Sequence, residues 1–405
     1  MLRIGIVGCG LQAATIAGYL GIYGDEYEVV AVADYDFENA RARMAQKKVR
    51  IADSCRFFHD AGKFIESVPK LDGIIIGTFC TFHTEVACQL EVLGVPLYIE
   101  KPVAISFEQV RRLYAAFRHS RVPLEVSLPM RLCPLTQRAR KMMADGLVGP
   151  VRQVVGFEDT QGDVYFATWF RDAEKTGGMF LQKAVHDIDY MFYLAGGRPV
   201  EVCGMRAKVY YRGDKPYDLT CEHCSDAGTC PEGPMRTFRE KGLAESVPDA
   251  AERLSWIFRG DEKTSGKHYC VRSKDIAIED IGECIVRMDT GTHVAHSQNF
   301  IANFHACRRG ARFCGDNATL EIDFHRSHLT LYSHRSGSVE HYDVDPGKLS
   351  HYGGDRELVA DFLETMKTGK RARTDLIEGD GIMSTLTCLG ARESADTSKF
   401  IAVSL

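Results

Sequence analysis

Gly8, Gly10 and Ala13 stand in the pattern GxGxxA within RIGIVGCGLQAAT, directly after an apolar run and at the start of a helical one. The first glycine permits a tight turn, the second lets backbone approach a pyrophosphate, and the small third residue lets helix and strand pack closely. The helix N-terminus then faces the phosphates with unpaired N–H groups, which places Leu11 and Gln12 beside them. Asp34 closes the next apolar run, where an acidic side chain would accept the adenosine ribose hydroxyls. Its charge would repel a 2′-phosphate, and no Arg or Lys follows before Arg41, so the pattern favours NAD over NADP. Glycines alone are a weak signal; here strand, turn, helix and acid follow in the required order.

Cysteine forms a second group of reactive side chains, 14 in 405 residues. Cys221, Cys224 and Cys230 lie together in CEHCSDAGTC, and Cys270 follows in KHYCVRS. A loop-rich stretch without apolar periodicity gains stability from a tetrahedral thiolate zinc site, with Cys270, His223 or a water as the fourth ligand. The competing reading is surface thiols that bind no metal. Cys9, Cys80, Cys88, Cys203, Cys314 and Cys388 stand in apolar runs as small core residues.

Positioning these groups falls to a regular alternation. RIGIV (3–7), EVVAVA (28–33), GIIIG (73–77), PLYI (96–99) and PLEVS (123–127) are short, β-branched and bounded by turn residues, which predicts buried strands. Helices are predicted near 11–22, 37–47, 83–93 and 107–118, the last opened by the capping-box spacing of Ser106 and Gln109. That alternation is the pattern of an α/β, doubly wound parallel sheet. A helix near 135–145 starts at Pro134 and stops before Gly146. Beyond Pro150, VRQVVGFE, VEVCGMRAKVYY, ECIVRMD, THVAHSQNFIANF, ARFCGDNATLEIDF and HLTLY predict a large, mostly antiparallel open sheet in a second, α+β domain. One helix, MFLQKAVHDIDYMFYLAGG, interrupts it, 212–270 reads as a Cys-rich insertion, and helices return at 355–367 and about 375–394.

Fifty Lys+Arg against 55 Asp+Glu give a net charge of −5, without the basic stripe that a nucleic-acid binder needs. No run approaches the ~18 apolar residues of a membrane helix. An apolar strand begins almost at Met1 with no separate leader, so the cytoplasm is the expected compartment, with thiols kept reduced. The expected partner is a small molecule.

The glycine pattern, an apolar strand ending in Thr78-Phe79, His83 opening a helix and Glu100-Lys101-Pro102 after the next strand together resemble the glucose-fructose oxidoreductase and inositol dehydrogenase (Gfo/Idh/MocA) family. The resemblance extends to Met130-Arg131, DGLVGPV, GGMFLQKAVHDID and SHYGGDRELVADFL, and so covers nearly the whole chain. It implies a Rossmann domain over 1–128 and a substrate and oligomerisation domain over 129–405, assembled as a homodimer or homotetramer. It also implies that Thr78, Phe79, His83, Glu100 and Lys101 border the NAD, with Lys101 bonding the substrate hydroxyl and His186 trading its proton. The chemistry agrees: oxidising a secondary alcohol sends a hydride to the cofactor and leaves a proton for a positioned base, while an ammonium stabilises the developing alkoxide. The substrate class implied is a sugar, sugar derivative or inositol. The alternative is a glycoside hydrolase that retains NAD, oxidises C3 transiently and eliminates the aglycone.

Two departures stand out. Many family members carry Asp four residues before the active-site His, where this chain has Gln182, which can orient His186 or a sugar hydroxyl but cannot titrate. Tyr352 stands where a glycine is expected and would narrow the pocket. Lys183 and Asp187, four apart, read as an exposed intrahelical pair or as a substrate contact through Lys183. Trp169 and Arg171 would either stack on and bond a sugar or clamp the sheet.

Overall fold

The computed structural model describes residues 1–24, 27–227, 229–232, 269–347 and 349–405, so 233–268 of the expected insertion lie outside the described residues. Six short runs form the first sheet: β1 (Leu2–Val7), β2 (Tyr27–Ala33), β3 (Ile51–Phe58), β4 (Gly73–Ile76), β5 (Leu97–Ile99) and β6 (Leu124–Val126). All pair in parallel, in the order β3-β2-β1-β4-β5-β6. Ile4, Ile6, Ile74, Ile75 and Ile76 are fully buried, because helices cover both faces and leave no solvated side to demand polar alternation. Chain order reverses between β1 and β4, and the crevice beyond the strand ends at such a switch point is where this architecture takes its ligand. The sequence pattern misses β3, a half-exposed edge strand whose IADSCRFF mixes Asp53, Ser54 and Arg56 into its apolar residues.

The connecting helices begin where their capping residues put them. Asp36 Oδ1 accepts from Asn39 N at 3.0 Å. Ser106 Oγ accepts from Gln109 N at 3.2 Å while Gln109 Oε1 reaches back to Ile105 N at 2.8 Å. Pro134 opens Pro134–Ala144, where its missing N–H costs nothing.

The second sheet contains β7 (Val151–Asp159), β8 (Pro199–Ala207), β9 (Ile281–Met288), β10 (His293–Asn299), β11 (Arg308–Gly315), β12 (Ala318–Asp323), β13 (His328–Ser333), β14 (Val339–Asp343) and β15 (Ile401–Ala402). Their order is β14-β13-β12-β11-β7-β10-β9-β8-β15, antiparallel except for β7 with β10. Three of the boundaries that differ from expectation have a local cause. ARFCGDNATLEIDF is the β11–β12 hairpin, turning at Asp316 and Asn317, rather than one strand. VEVCGMRAKVYY is strand only to Ala207, because the Asp280 carboxylate takes the N–H groups of Val209, Tyr210 and Tyr211. The last helix, Met383–Thr397, starts late because the Asp375 carboxylate takes the N–H groups of Ile377 and Glu378 and holds that stretch in a turn.

Among the contacts that tie the sheets together are those of Phe362 and Arg131. Helix Gly354–Thr368 returns to the first sheet, its Phe362 ring 5.6 Å from Tyr98. Arg131 donates to Asp189 at 3.0 and 2.5 Å and to the Arg373 carbonyl at 3.1 Å.

Behind helix Val185–Ala195 lies a buried charge cluster. Arg309 grips both Asp187 oxygens at 2.8 and 2.7 Å, and Lys183 pairs with Glu158 at 3.0 Å. The expected Lys183–Asp187 pair is therefore not formed. Phe180–Ala184 is a π-turn, whose wider winding breaks the α-helical rule that residues four apart share a face. Arg309→Leu would leave Asp187 buried without its counter-charge and is expected to cost about 3–5 kcal/mol in urea unfolding. An unchanged midpoint would show that the cluster does not carry stability.

Candidate active site

The glycine turn is built by close approach. Gly8 donates its N–H to Ala33 O at 2.8 Å and has φ +77°, and a Cβ there would strike the Thr78 backbone. A Cβ at Gly77 would in turn meet the Ala13 methyl, which explains the small third residue of the pattern. Gly10 caps helix Leu11–Tyr19 without any side-chain hydrogen bond, so the first-turn N–H groups are left for an anion. Leu11, Gln12 and Asp34 line the same cavity, about 880 Å³ in volume.

Asp34 does more than the sequence pattern assigns to it. Its Oδ2 accepts from Cys9 N at 2.8 Å and its Oδ1 from Asp36 N at 2.9 Å, so the carboxylate holds the glycine turn in shape. Each oxygen keeps a further lone pair for a ribose hydroxyl. Burial and the Asp34 charge push the Cys9 thiol up to about 12, which keeps it protonated inside this turn.

The same cavity is lined by Thr78, Phe79, Glu100, Lys101, Gln182 and His186. Lys101 Nζ donates to the main-chain oxygen of Gln182 at 2.7 Å. Burial, above all, lowers the Lys101 ammonium from its usual range and raises the Glu100 carboxyl, so both lean toward neutrality. His186 is almost fully buried, with no hydrogen-bond partner at Nδ1. Burial, then Lys101 and His351, hold its imidazole well below the usual histidine range. His83 also reaches the cavity but acts as a bracket, its Nδ1 2.7 Å from Pro102 O and its Nε2 3.0 Å from Thr78 O.

Three expected contacts are redirected. Gln182 does not orient His186: its Nε2 lies 3.0 Å from both Cys80 Sγ and Thr176 O, turned aside by the π-turn. Arg171 is a clamp, donating to Asp275 at 2.5 Å and to Cys270 O at 3.1 Å, and does not line the cavity. Tyr352 leaves the pocket open by packing on Phe324 at 5.2 Å between ring centroids. Trp169 does line the cavity, with its ring stacked on Phe170 at 4.3 Å and edge-on to Phe79 at 4.8 Å. Lys183 lines it too, although its ammonium is committed to Glu158.

The resemblance puts the 350–353 loop on the substrate side, but sequence reasoning did not single out Tyr165, Ser350 or His351, which line the cavity. His351 Nδ1 sits 2.9 and 3.0 Å from the Asp355 oxygens, and its ring is 5.3 Å from that of His186. Its signal was the four-residue spacing of His351 and Asp355 where the late loop enters a helix.

Cys221, Cys224, Cys230 and Cys270 lie close enough to act on one another. Burial, then Cys270, Cys230 and Cys224, push the Cys221 thiol up to about 12. Among the described residues, however, no group of three or more His, Cys, Asp or Glu is arranged to hold a metal ion, so the geometry does not fit a closed zinc site.

A dinucleotide cradle at the switch point of a Rossmann sheet, sharing its cavity with Lys101, His186 and His351, has the parts of a nicotinamide-dependent oxidoreductase. Residues 2–128 match the family model described as "Oxidoreductase family, NAD-binding Rossmann fold", and residues 136–228 match "GFO/IDH/MocA C-terminal domain". The chain belongs to the Gfo/Idh/MocA family of NAD-binding oxidoreductases. Among its relatives is the putative oxidoreductase YteT of Bacillus subtilis (strain 168), 24% identical over 381 residues and covering 88% of each chain. Inositol 2-dehydrogenase of Rhizobium meliloti (strain 1021) is 25% identical over 215 residues, 51% of this chain and 58% of that one. A solved levoglucosan dehydrogenase in complex with NADH and levoglucosan shares the fold at a TM-score of 0.74, with 14% identity and 100% of both chains covered.

The buried histidines give the fold a pH signature. His296 has no partner at either ring nitrogen, and burial lowers it to about 4, against an unfolded value of about 6.5. Between those values the unfolded chain binds a proton that the folded chain refuses, so stability falls as pH drops from 6.5 to 4. Relative to His296→Met, which fills the space without titrating, wild type should lose up to about 3 kcal/mol across that window. Parallel stability curves for the two proteins would refute the assignment.

Proposed function

We propose that the protein is an NAD-dependent dehydrogenase that oxidises a hydroxyl of a sugar, sugar derivative or inositol. The observation that carries this reading is one cavity lined both by the glycine cradle and by Lys101 with His186. When bound there, the nicotinamide supplies the acceptor for a hydride. Lys101 hydrogen-bonds the substrate oxygen and stabilises its charge as the O–H proton leaves. His186 receives that proton on its cavity side. Tyr165, Trp169 and Phe170 form the aromatic wall on which the apolar face of a ring polyol would rest. The names of the inositol and levoglucosan dehydrogenases support the same substrate class. The preference for NAD over NADP rests on Asp34, since the nearby Arg43 is engaged with Cys9 O at 3.2 Å.

Self-association as a dimer or tetramer is assigned to the second sheet. Val155, Ala295, Ile285 and Cys203 are registered side by side on one face of β7, β10, β9 and β8, and Val155, Ile285 and nearby Met205 are exposed there. A cytoplasmic location is supported by the absence of any disulfide among the described cysteines.

An NADH absorbance screen against sugars, sugar acids and inositols, run with NAD and NADP in parallel, tests the reading. Steady NADH formation with one class and little with NADP is expected, whereas glycoside cleavage without net NADH would replace it by the hydrolase alternative. Lys101→Ala should abolish turnover and leave NADH binding intact; retained turnover removes Lys101 from the mechanism.

A further inference from the structure

The Lys101 and His186 reading leaves the substrate proton with no exit. His186 is buried, its Nδ1 has no partner, and the residue four positions earlier is the non-titrating Gln182, whose amide faces Cys80 and Thr176. The strongest charges acting on it are those of Lys101, His351, Arg309 and Lys183. An imidazolium formed there would stand among cations, so a proton taken by His186 must be passed on quickly.

The late loop brings in what the helix lacks. His351 lines the cavity, its ring 5.3 Å from that of His186, within reach directly or through one water. Its Nδ1 is turned to the Asp355 carboxylate, itself almost fully buried, which fixes the tautomer with Nε2 as the proton-accepting atom. The His351 side chain is 26% exposed, so water reaches its ring. A base held by a carboxylate, next to a reacting group and open to water, has the arrangement that stabilises a transient imidazolium.

Resting on the proposed dehydrogenase reading, we propose that His351, oriented by Asp355, is a second acid–base group of this site that takes the substrate proton from His186 and delivers it to solvent. The substrate C–H bond breaks with its electron pair leaving as hydride to the nicotinamide, the O–H bond breaks with its proton passing to His186, and a carbonyl forms. His186 then returns to its neutral form by giving that proton to His351 Nε2. The His351 imidazolium is paired with Asp355 until water removes the proton, and in the reductive direction the same path supplies it. The groups facing His351 are Asp355, in the first turn of the helix that follows, and His186 across the cavity.

The test uses full-length His351→Asn, since Asn tolerates the left-handed backbone there, φ +49°, and its amide can still meet Asp355. Asp355→Asn serves as the second variant. NADH affinity, read by fluorescence, should match wild type in both, which shows that the fold and cradle are intact. On the best alcohol from the screen, kcat at neutral pH should fall by about 10²-fold with KM little changed. Added imidazole should restore much of the rate of His351→Asn and none of that of Lys101→Ala. The acidic limb of the wild-type pH–rate profile should be displaced in Asp355→Asn. A variant that keeps the wild-type rate and pH profile overturns this proposal alone, as does a loss that imidazole does not relieve. Wild type that binds NADH but oxidises no alcohol overturns the dehydrogenase reading, and this proposal with it.

Discussion

One hydrogen bond, from Lys101 Nζ to the main-chain oxygen of Gln182, joins the parallel sheet to the helix of the second unit at the point where chemistry is expected. The ammonium follows β5, so its position is set by the buried register of the first sheet. The carbonyl that receives it belongs to a π-turn, where a wider winding turns backbone groups away from their usual partners. A side-chain acceptor at 182 would have fixed the lysine through rotamers. A main-chain acceptor fixes it through the fold itself, and frees the Gln182 amide to bond Cys80 and Thr176.

That junction sits in surroundings that disfavour charge. Burial pushes Lys101 and Glu100 toward neutrality and keeps His186 neutral. Behind them the charges that do persist are paired: Arg309 holds Asp187 by two bonds, and Lys183 holds Glu158. The paired charges thus lie against the helix, with Lys183 reaching the cavity wall, while Lys101, Glu100 and His186 are groups whose protonation can change during a reaction. A site divided in this way can exchange a proton without disturbing the pairs that support it.

Much of this was legible in the residues. The glycine turn, five of the six strands of the first sheet and most of the second-sheet strands follow from β-branched runs and their turn residues, because local geometry decides them. What escaped the pattern depends on partners distant in sequence. The β3 strand is held by its neighbour despite a polar sequence, and Asp375 and Asp280 end or delay elements by capturing N–H groups. Gln182 and Lys183 were misplaced because spacing was converted to a helical face at 3.6 residues per turn, and the π-turn at Phe180–Ala184 does not keep that period. Arg171 was ambiguous because Asp275, its partner, lies 104 residues away.

The loop at 350–353 shows how the substrate end of the cavity is held. His351 and Tyr352 both adopt positive φ, +49° and +54°, a conformation that non-glycine residues avoid and that costs of order 1 kcal/mol each. Such strain persists only where surrounding contacts outweigh it, and here they come from both units. Ser350 Oγ is 3.2 Å from Tyr19 Oη on the cofactor side, His351 is tied to Asp355, and Tyr352 packs on Phe324. Gly353 and Gly354 let the chain press against the Pro346 and Pro129 carbonyls, where a Cβ would collide. A relaxed extended loop would not carry the His351 ring along the same path. The left-handed pair puts that ring beside His186 while the Tyr352 ring is packed against Phe324, so two adjacent aromatic side chains serve the site and the core respectively.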